Sequence, residues 1–281
     1  MRVASIHTYP VKGCRRMDRD TARVEPWGLD GDRRWLIVDE NGLGLTQRQH
    51  RELVTMRAVS RPGGLTLDAP GMAPLDLDEP TGGEAIQVRV YRGRPPSPVR
   101  AVGPEADDWL NRLLGRAARL VWLGDPTGNL VPWPVPTGVG AELSFADGTP
   151  LLLANTASLD VFNDWLLESG STEGPLPMIQ FRPNLVVSGA APWAEGEWVG
   201  RRIRIGGAVF HGANECGRCL IATIDQETGQ RGREPLWMLA ARRNVDRKLL
   251  FGLQMQVRAE PGGPPPEGRT VSVGDIVEVL D

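Results

Sequence analysis

The stretch Cys216-Gly-Arg-Cys219 carries the most chemical possibility in this chain. Two thiols close a strand-like run, and only Cys14 accompanies them in 281 residues. Three thiols cannot build a disulfide framework. A structural zinc site needs four ligands, commonly two such pairs or one pair plus histidines. There is no second pair, and His7, His50 and His211 are scattered. A thioredoxin-like redox pair opens a helix, whereas the β-branched run Leu220–Ile224 predicts a strand. Two cysteines packed as small hydrophobes are the generic reading of such a pair.

Other polar residues stand in settings that suit binding. Lys12 is one of two lysines among 32 basic residues, the other being Lys248. Arg182 precedes a proline, which narrows the backbone around it. Asn184 offers both donor and acceptor. Asp147-Gly-Thr149-Pro150 is a turn signal ahead of an apolar run. Arg33 and Arg34 read equally as an exposed charge pair.

The elements around these residues are mostly strands. Val3–Tyr9, Arg34–Val38, Leu53–Val59 and Ile86–Tyr91 are β-like runs separated by Gly/Pro clusters, as in barrels and sandwiches. Asn41-Gly42 marks a hairpin. Proline at its start, acids in its first turns and a Trp109, Leu110, Leu113, Leu114 face predict a helix over 104–114. A second helix is predicted over 156–168, capped by Asn155 or Thr156, with Leu159, Phe162 and Leu166 at helical spacing. Further strands are expected at Leu120–Leu123, Asn184–Ser188, Arg202–Phe210, Leu220–Ile224 and around Val271 and Val277. The segments 125–140 and 261–266 read as irregular loops.

Composition bounds the rest. Apolar residues make up 41%, enough for a sizeable core, and the net charge of −3 argues against nucleic acid as a stable partner. No run reaches the roughly 18 apolar residues of a membrane span. The opening residues lack a signal-peptide apolar region, and a cytoplasmic protein is expected.

Several motifs occur together in order. They are Tyr9-Pro-Val-Lys-Gly-Cys14, Gly31-Asp-Arg33-Arg-Trp35, Thr46-Gln-Arg-Gln49, Phe181-Arg-Pro-Asn184, and Cys216-Gly-Arg-Cys219 with the Asp225-Gln-Glu-Thr-Gly229 turn. Together they resemble the two-domain MOSC proteins, the architecture of the mitochondrial amidoxime-reducing component and its bacterial relatives. The resemblance implies a mostly β fold with a few helices (α+β) and two β-barrel-like domains. One is an N-terminal MOSC barrel over 1–118, the other a MOSC domain over 119–281.

It also implies a molybdenum cofactor whose metal takes one protein thiolate. By motif position that ligand is Cys219, with Cys216 packed nearby. Soft thiolates suit such a metal. Cofactor contacts are expected from Lys12, Gly13, Arg33, Arg48, Thr149, Arg182, Asn184, Gly217 and Arg218. Cations suit the cofactor's phosphate, and Asn184 suits a pterin edge. Asp147 is expected near the metal as a proton-handling catalytic group. Relatives often carry serine where Gly217 stands, which leaves only a backbone role there. The implied reaction reduces small N-hydroxylated compounds by oxygen-atom transfer to molybdenum. A separate electron-transfer protein or reductase would supply electrons, since no cysteine cluster for an iron–sulfur centre is present. The competing expectation is a cofactor or sulfur carrier acting through a cysteine persulfide.

Overall fold

The computed structural model describes residues 1–130, 142–257 and 268–281. Nineteen strands and three helices are described. The strands of the first half are β1 (Arg2–Thr8), β2 (Met17–Arg19), β3 (Thr21–Glu25), β4 (Gly28–Leu29), β5 (Trp35–Val38), β6 (Arg57–Arg61), β7 (Gly64–Asp68), β8 (Leu75–Asp78), β9 (Ala85–Val88), β10 (Ser97–Ala101) and β11 (Arg119–Trp122). Those of the second half are β12 (Leu151–Asn155), β13 (Leu185–Ser188), β14 (Arg202–Ile205), β15 (Ala208–Gly217), β16 (Asn244–Val245), β17 (Lys248–Val257), β18 (Thr270–Ser272) and β19 (Val277–Leu280). The helices are α1 (Pro104–Leu114), α2 (Thr156–Glu168) and α3 (Leu236–Arg242).

A nine-stranded sheet runs β19-β14-β15-β17-β12-β13-β1-β2, with β16 beside β17. β1 comes from the start of the chain yet lies antiparallel to β13, so the first strand completes the sheet of the second half. β18 likewise crosses back to pair with β3. The smaller sheets are β5-β11-β10-β9, β18-β3-β4 and β6-β7-β8. The strand at 119–122 therefore hydrogen-bonds with strands of the first hundred residues or so. The chain is mostly β with a few helices, as expected, although no described sheet closes on itself.

The main core lies against the large sheet, where Ile6, Leu153, Leu185, Phe210, Leu253 and Met255 are buried. Such burial stabilises by roughly 1.5–3 kcal/mol per large apolar side chain. α2 and α3 enclose an aromatic cluster around Phe162, Phe181 and Phe251. α1 begins with proline at its first turn and ends on Gly115 in the left-handed conformation, φ 63°. α2 starts where the Asn155 side chain accepts from the Ala157 N–H.

Four expected strands differ. Leu53–Val59 is a 3-10 turn at Arg51–Thr55 followed by β6. Leu53 and Val54 are both buried within that turn, and the Met56 N–H closes it on the Leu53 carbonyl. Ile86–Tyr91 shifts to Ala85–Val88. Arg202–Phe210 is a hairpin rather than one strand, broken at Gly206, whose φ of 54° sets the reversal. Leu220–Ile224 is a 3-10 turn over Leu220–Thr223. There the Thr223 hydroxyl donates to the Leu220 carbonyl at 2.9 Å, a local bond that competes with strand pairing. The segments 131–140 and 261–266 lie outside the described residues.

Candidate functional site

A pocket of about 520 Å³ opens between loops of the first half and strand ends of the second. Every residue expected at the site lines it: Lys12, Gly13, Arg33, Arg48, Asp147, Thr149, Arg182, Asn184, Gly217, Arg218 and Cys219. Their ordering along the chain spans more than 200 residues, and the cross-half pairing of β1 with β13 is what gathers them.

The cysteine loop is placed by β15. Its pairing with β17 slips between Gly212 and Asn214 and again between Glu215 and Gly217. Bulges of this kind bend a strand and re-aim its end. Cys216 is left buried and Cys219 exposed, and both are free thiols. A helical turn comes directly after Cys219, so the element next to the motif does not argue against a redox pair. Each thiol has its own guanidinium. Arg48 Nη2 lies 3.4 Å from Cys219 Sγ, and Arg218 Nη1 lies 3.0 Å from Cys216 Sγ. Arg218 also donates to the Phe181 carbonyl at 2.7 Å, while its buried Nε has no partner among the described residues.

The opposite wall is a stack built on Tyr9. The Arg182 guanidinium carbon sits 4.2 Å from the ring centroid and that of Arg33 sits 4.6 Å away. Cation–π attraction of this kind strengthens out of water, and burial raises the Tyr9 hydroxyl to a pKa of about 12. Both arginines adopt φ of 53°, which costs an L-residue about 1 kcal/mol. Backbone strain of this kind collects at functional sites. Phe181, the residue before Arg182, stacks on Phe251 with centroids 3.6 Å apart.

Arg182 also donates to Gln226 Oε1 at 2.7 Å. Gln226 and Gln47 exchange amide bonds of 3.2 Å in both directions, and Gln47 donates to the Gly13 carbonyl at 2.6 Å. This buried amide pair ties the two halves together behind the pocket. The sequence reading passed over both glutamines, although Gln47 lies in the Thr46–Gln49 motif and Gln226 in the turn whose Asp225 carboxylate accepts from Glu227 and Thr228 N–H groups.

Asn184 faces the pocket but has nothing to spare. Its amide donates to the His7 carbonyl and to Asp32 Oδ2, both at 3.1 Å, and accepts from Arg33 Nη1 and the Leu152 N–H, both at 3.2 Å. All four of its hydrogen-bonding positions are used within the protein. Asp32 also pairs with Arg33 and accepts from the Tyr9 N–H at 2.7 Å. Asn184 and Asp32 thus fix the stack rather than offer free groups. The Thr149 hydroxyl is likewise engaged, donating to the Leu151 carbonyl at 3.1 Å.

Lys12 reaches Asp147 at 2.8 Å across the pocket. Desolvation in the pocket works to raise the Asp147 carboxyl, but the charge and hydrogen bond of Lys12, with Arg33 and Arg48 nearby, outweigh it and hold the group below the ordinary carboxylate range. Burial lowers the Lys12 ammonium despite its partner. The lining as a whole carries five cations, Lys12, Arg33, Arg48, Arg182 and Arg218, against Asp147 alone. Such a pocket favours an anionic ligand.

Sequence comparison agrees with this architecture. Residues 1–117 match the MOSC N-terminal beta barrel domain and residues 140–278 match the MOSC domain. The human mitochondrial amidoxime-reducing component 1 is 30% identical, covering 99% of this chain and 82% of that protein. The chain belongs to the MOSC family. The human mitochondrial amidoxime reducing component 2 is also 30% identical, over 91% of this MOSC chain and 78% of its own length. A molybdenum cofactor sulfurase of Oryza sativa subsp. japonica is 30% identical over 89% of this chain, but this covers only 32% of that protein. This MOSC protein therefore spans about a third of the sulfurases it matches and about four fifths of the amidoxime-reducing components. Among the described residues, no helix is long and apolar enough to cross a membrane.

Proposed function

We propose that this chain binds a molybdenum cofactor and reduces N-hydroxylated compounds with electrons from a separate protein. The observation that carries the reading is the exposed Cys219 thiol on the wall of a cationic pocket of about 520 Å³. The residues fit the group. Cys219 is a soft ligand open to the pocket. Lys12, Arg33, Arg48, Arg182 and Arg218 match its phosphate and polar ring. When bound, the cofactor supplies two-electron oxygen-atom chemistry, and the protein supplies position, charge and protons.

The residues divide that work. Arg182 and Arg33, fixed on Tyr9, present guanidinium groups without reorganisation. The Lys12–Asp147 pair handles protons. Asp147 is ionised at neutral pH, so Lys12, whose ammonium is the weakened one, is the donor of the pair, and Asp147 orients it. Tyr91, Val90, Leu45 and Ile221 give the lining an apolar sector suited to the organic part of a small substrate.

A second reading is favoured by the same exposed thiol. A persulfide carrier needs an accessible cysteine next to positive charge, and the similarity to cofactor sulfurases is consistent with it. Metal and pterin analysis separates the two, using protein from a host that makes the cofactor. Stoichiometric molybdenum together with viologen-driven reduction of benzamidoxime supports the reductase. A metal-free chain bearing labile sulfane sulfur sinks it in favour of the carrier.

A further inference from the structure

The charge of this chain is unevenly spread. Residues 231–248 hold six cationic side chains, Arg231, Arg233, Arg242, Arg243, Arg247 and Lys248, against Glu234 and Asp246, in a chain whose net charge is −3. Arg233, Arg242 and Arg243 pair with Glu173, Glu168 and Glu215 from neighbouring elements, which leaves Arg231, Arg247 and Lys248 without a carboxylate partner among the described residues. Glu234 is buried, where its carboxylate accepts from the Met238 N–H, so it screens little at the surface. This segment comprises α3, the short strand β16 and the start of β17. Asp246 and Arg247 form the hairpin tip between the two strands, with φ of 48° and 63°.

The segment abuts the cysteine loop. The Arg218 N–H donates to the Leu249 carbonyl at 2.7 Å, and Gly217 lies opposite Leu250 in the β15–β17 ladder. A side chain placed on Gly217 would meet Lys248 Cβ at 3.9 Å. Three large apolar side chains stand exposed on the adjacent elements: Leu220 at 47%, Trp237 at 64% and Val245 at 49%. Leu220 immediately follows Cys219 and does not line the pocket, so it belongs to the outer side of the same loop. Arg233 stacks over the Trp237 ring at 4.6 Å, holding that ring out at the surface. Arg247 and Lys248 make no ion pair among the described residues.

Exposed apolar side chains and unpaired cations on neighbouring elements, beside a redox-capable loop, have the composition of a transient protein interface. We propose that this face seats an acidic one-electron carrier protein, whose redox centre it brings to the Cys216–Cys219 loop. The inference rests on the reductase reading above. Two carriers each give up one electron per turnover. The N–O bond breaks, and with two protons the oxygen leaves as water while the nitrogen keeps a hydrogen. Charge complementarity selects the partner: an acidic surface is steered to the 231–248 face, and the rest of this acidic chain repels it.

The test uses the cofactor-loaded protein, with a plant-type [2Fe–2S] ferredoxin and a flavodoxin, both acidic, as probes. Benzamidoxime reduction is driven in parallel by reduced methyl viologen. In an Arg247→Glu/Lys248→Glu double variant, the KM for a carrier rises about tenfold and its salt dependence flattens, while the viologen-driven rate is unchanged. Trp237→Ala weakens the carrier at high salt as well as low. An unchanged carrier KM in the double variant overturns the proposal. So does a wild type that viologen drives and neither carrier does. So does wild-type binding to anionic phospholipid vesicles that the double variant loses, with its carrier kinetics intact. If viologen itself gives no reduction, the reductase reading fails separately. Calorimetric titration of oxidised ferredoxin against wild type and double variant then decides the surface: binding by wild type alone supports it, and equal or absent binding overturns it.

Discussion

Arg48 Nη2 lies 3.4 Å from Cys219 Sγ, across 171 positions of sequence. The contact joins a loop of the N-terminal barrel domain to the thiol of the MOSC domain, so the charge beside Cys219 comes from the other half of the chain. Cys216 is served instead by Arg218 from its own loop. Both thiols line the pocket, but Cys219 is exposed and Cys216 is buried, and each has a different arginine beside it.

That difference predicts an order of thiol reactivity. In the cofactor-free protein, iodoacetamide labels Cys219 first, Cys216 at least tenfold more slowly, and Cys14 only on unfolding, since reactivity follows exposure. Cys14 is fully buried and burial pushes its thiol up. Peptide mass spectrometry over a time course checks the order. Loading with cofactor protects Cys219, and equal labelling of Cys216 and Cys219 in the free protein contradicts the assignment.

The same asymmetry predicts the serine variants. Cys219→Ser abolishes benzamidoxime reduction and leaves the fold intact, while Cys216→Ser keeps most activity. The reverse pattern moves the ligand to Cys216. Molybdenum content measured on both variants separates lost metal from lost turnover.

Much of this site was legible in the sequence, because its contacts come from short motifs whose order survives folding. Lys12, Arg33, Arg182 and Cys219 sit in such motifs, and all line one pocket. What was not legible is how the polar groups pair. Asn184 reads as a ligand until its four partners are known, and these come from 32 to 177 residues away. The left-handed turns at Arg33 and Arg182 leave no mark in residue type, since glycine is the usual sign of such a turn. The helices over 104–114 and 156–168 were readable because caps and spacing are local; α3 was not, since it has seven residues and no side-chain cap at its start. The turn after Cys219 was not, because a short, mostly apolar run satisfies strand and turn alike.

Asn184 and Arg182 are therefore expected to fail in different ways. Asn184→Ala strips partners from the His7 carbonyl and the Leu152 N–H inside the protein and lowers unfolding stability by about 2–4 kcal/mol. Arg182→Ala lowers cofactor retention more than stability. Arg182→Gly removes the same guanidinium while relieving the left-handed backbone, and it is more stable than Arg182→Ala by about 1 kcal/mol. Urea unfolding and pterin content, measured on all three, check this. A variant at Arg182 that loses stability but keeps cofactor marks a purely structural arginine.

The Lys12–Asp147 pair sets a pH expectation. The Asp147 carboxyl is held below its ordinary range in the folded protein. Its contribution is then complete above the ordinary carboxylate range and is lost as pH falls through the lowered value. Lys12→Met removes the charge that outweighs desolvation, and the Asp147 carboxyl rises. Lys12→Met is expected to keep bound cofactor in part but to lose turnover by about 10²-fold, the scale of one proton-handling group. The acid limb of its residual pH–rate profile moves to higher pH. An unmoved acid limb removes Asp147 from proton handling.

Glu195 gives the opposite pH sign. It is 2% exposed; its Oε2 accepts from Ser158 Oγ at 2.9 Å and from Asn155 Nδ2 at 3.3 Å, while Oε1, also buried, has no partner among the described residues. Burial raises its carboxyl above the ordinary range, more than these bonds and the Arg243 charge lower it. The folded chain therefore holds this proton more tightly than the unfolded chain. The associated stability is fully present below the unfolded value and is lost as pH rises through the window up to the raised value. Above that window an ionised, half-partnered carboxylate sits inside the protein at the start of α2, at the end of the strand that carries Leu151 and Leu152 into the pocket wall. Glu195→Gln keeps an acceptor for Ser158 and Asn155 and removes the charge. It is expected to be more stable than the wild type at pH 8 and to lose that advantage by pH 4. Thermal unfolding of both proteins at the two pH values reads the difference directly, and an advantage that is constant with pH would mean that folding does not raise the Glu195 carboxyl.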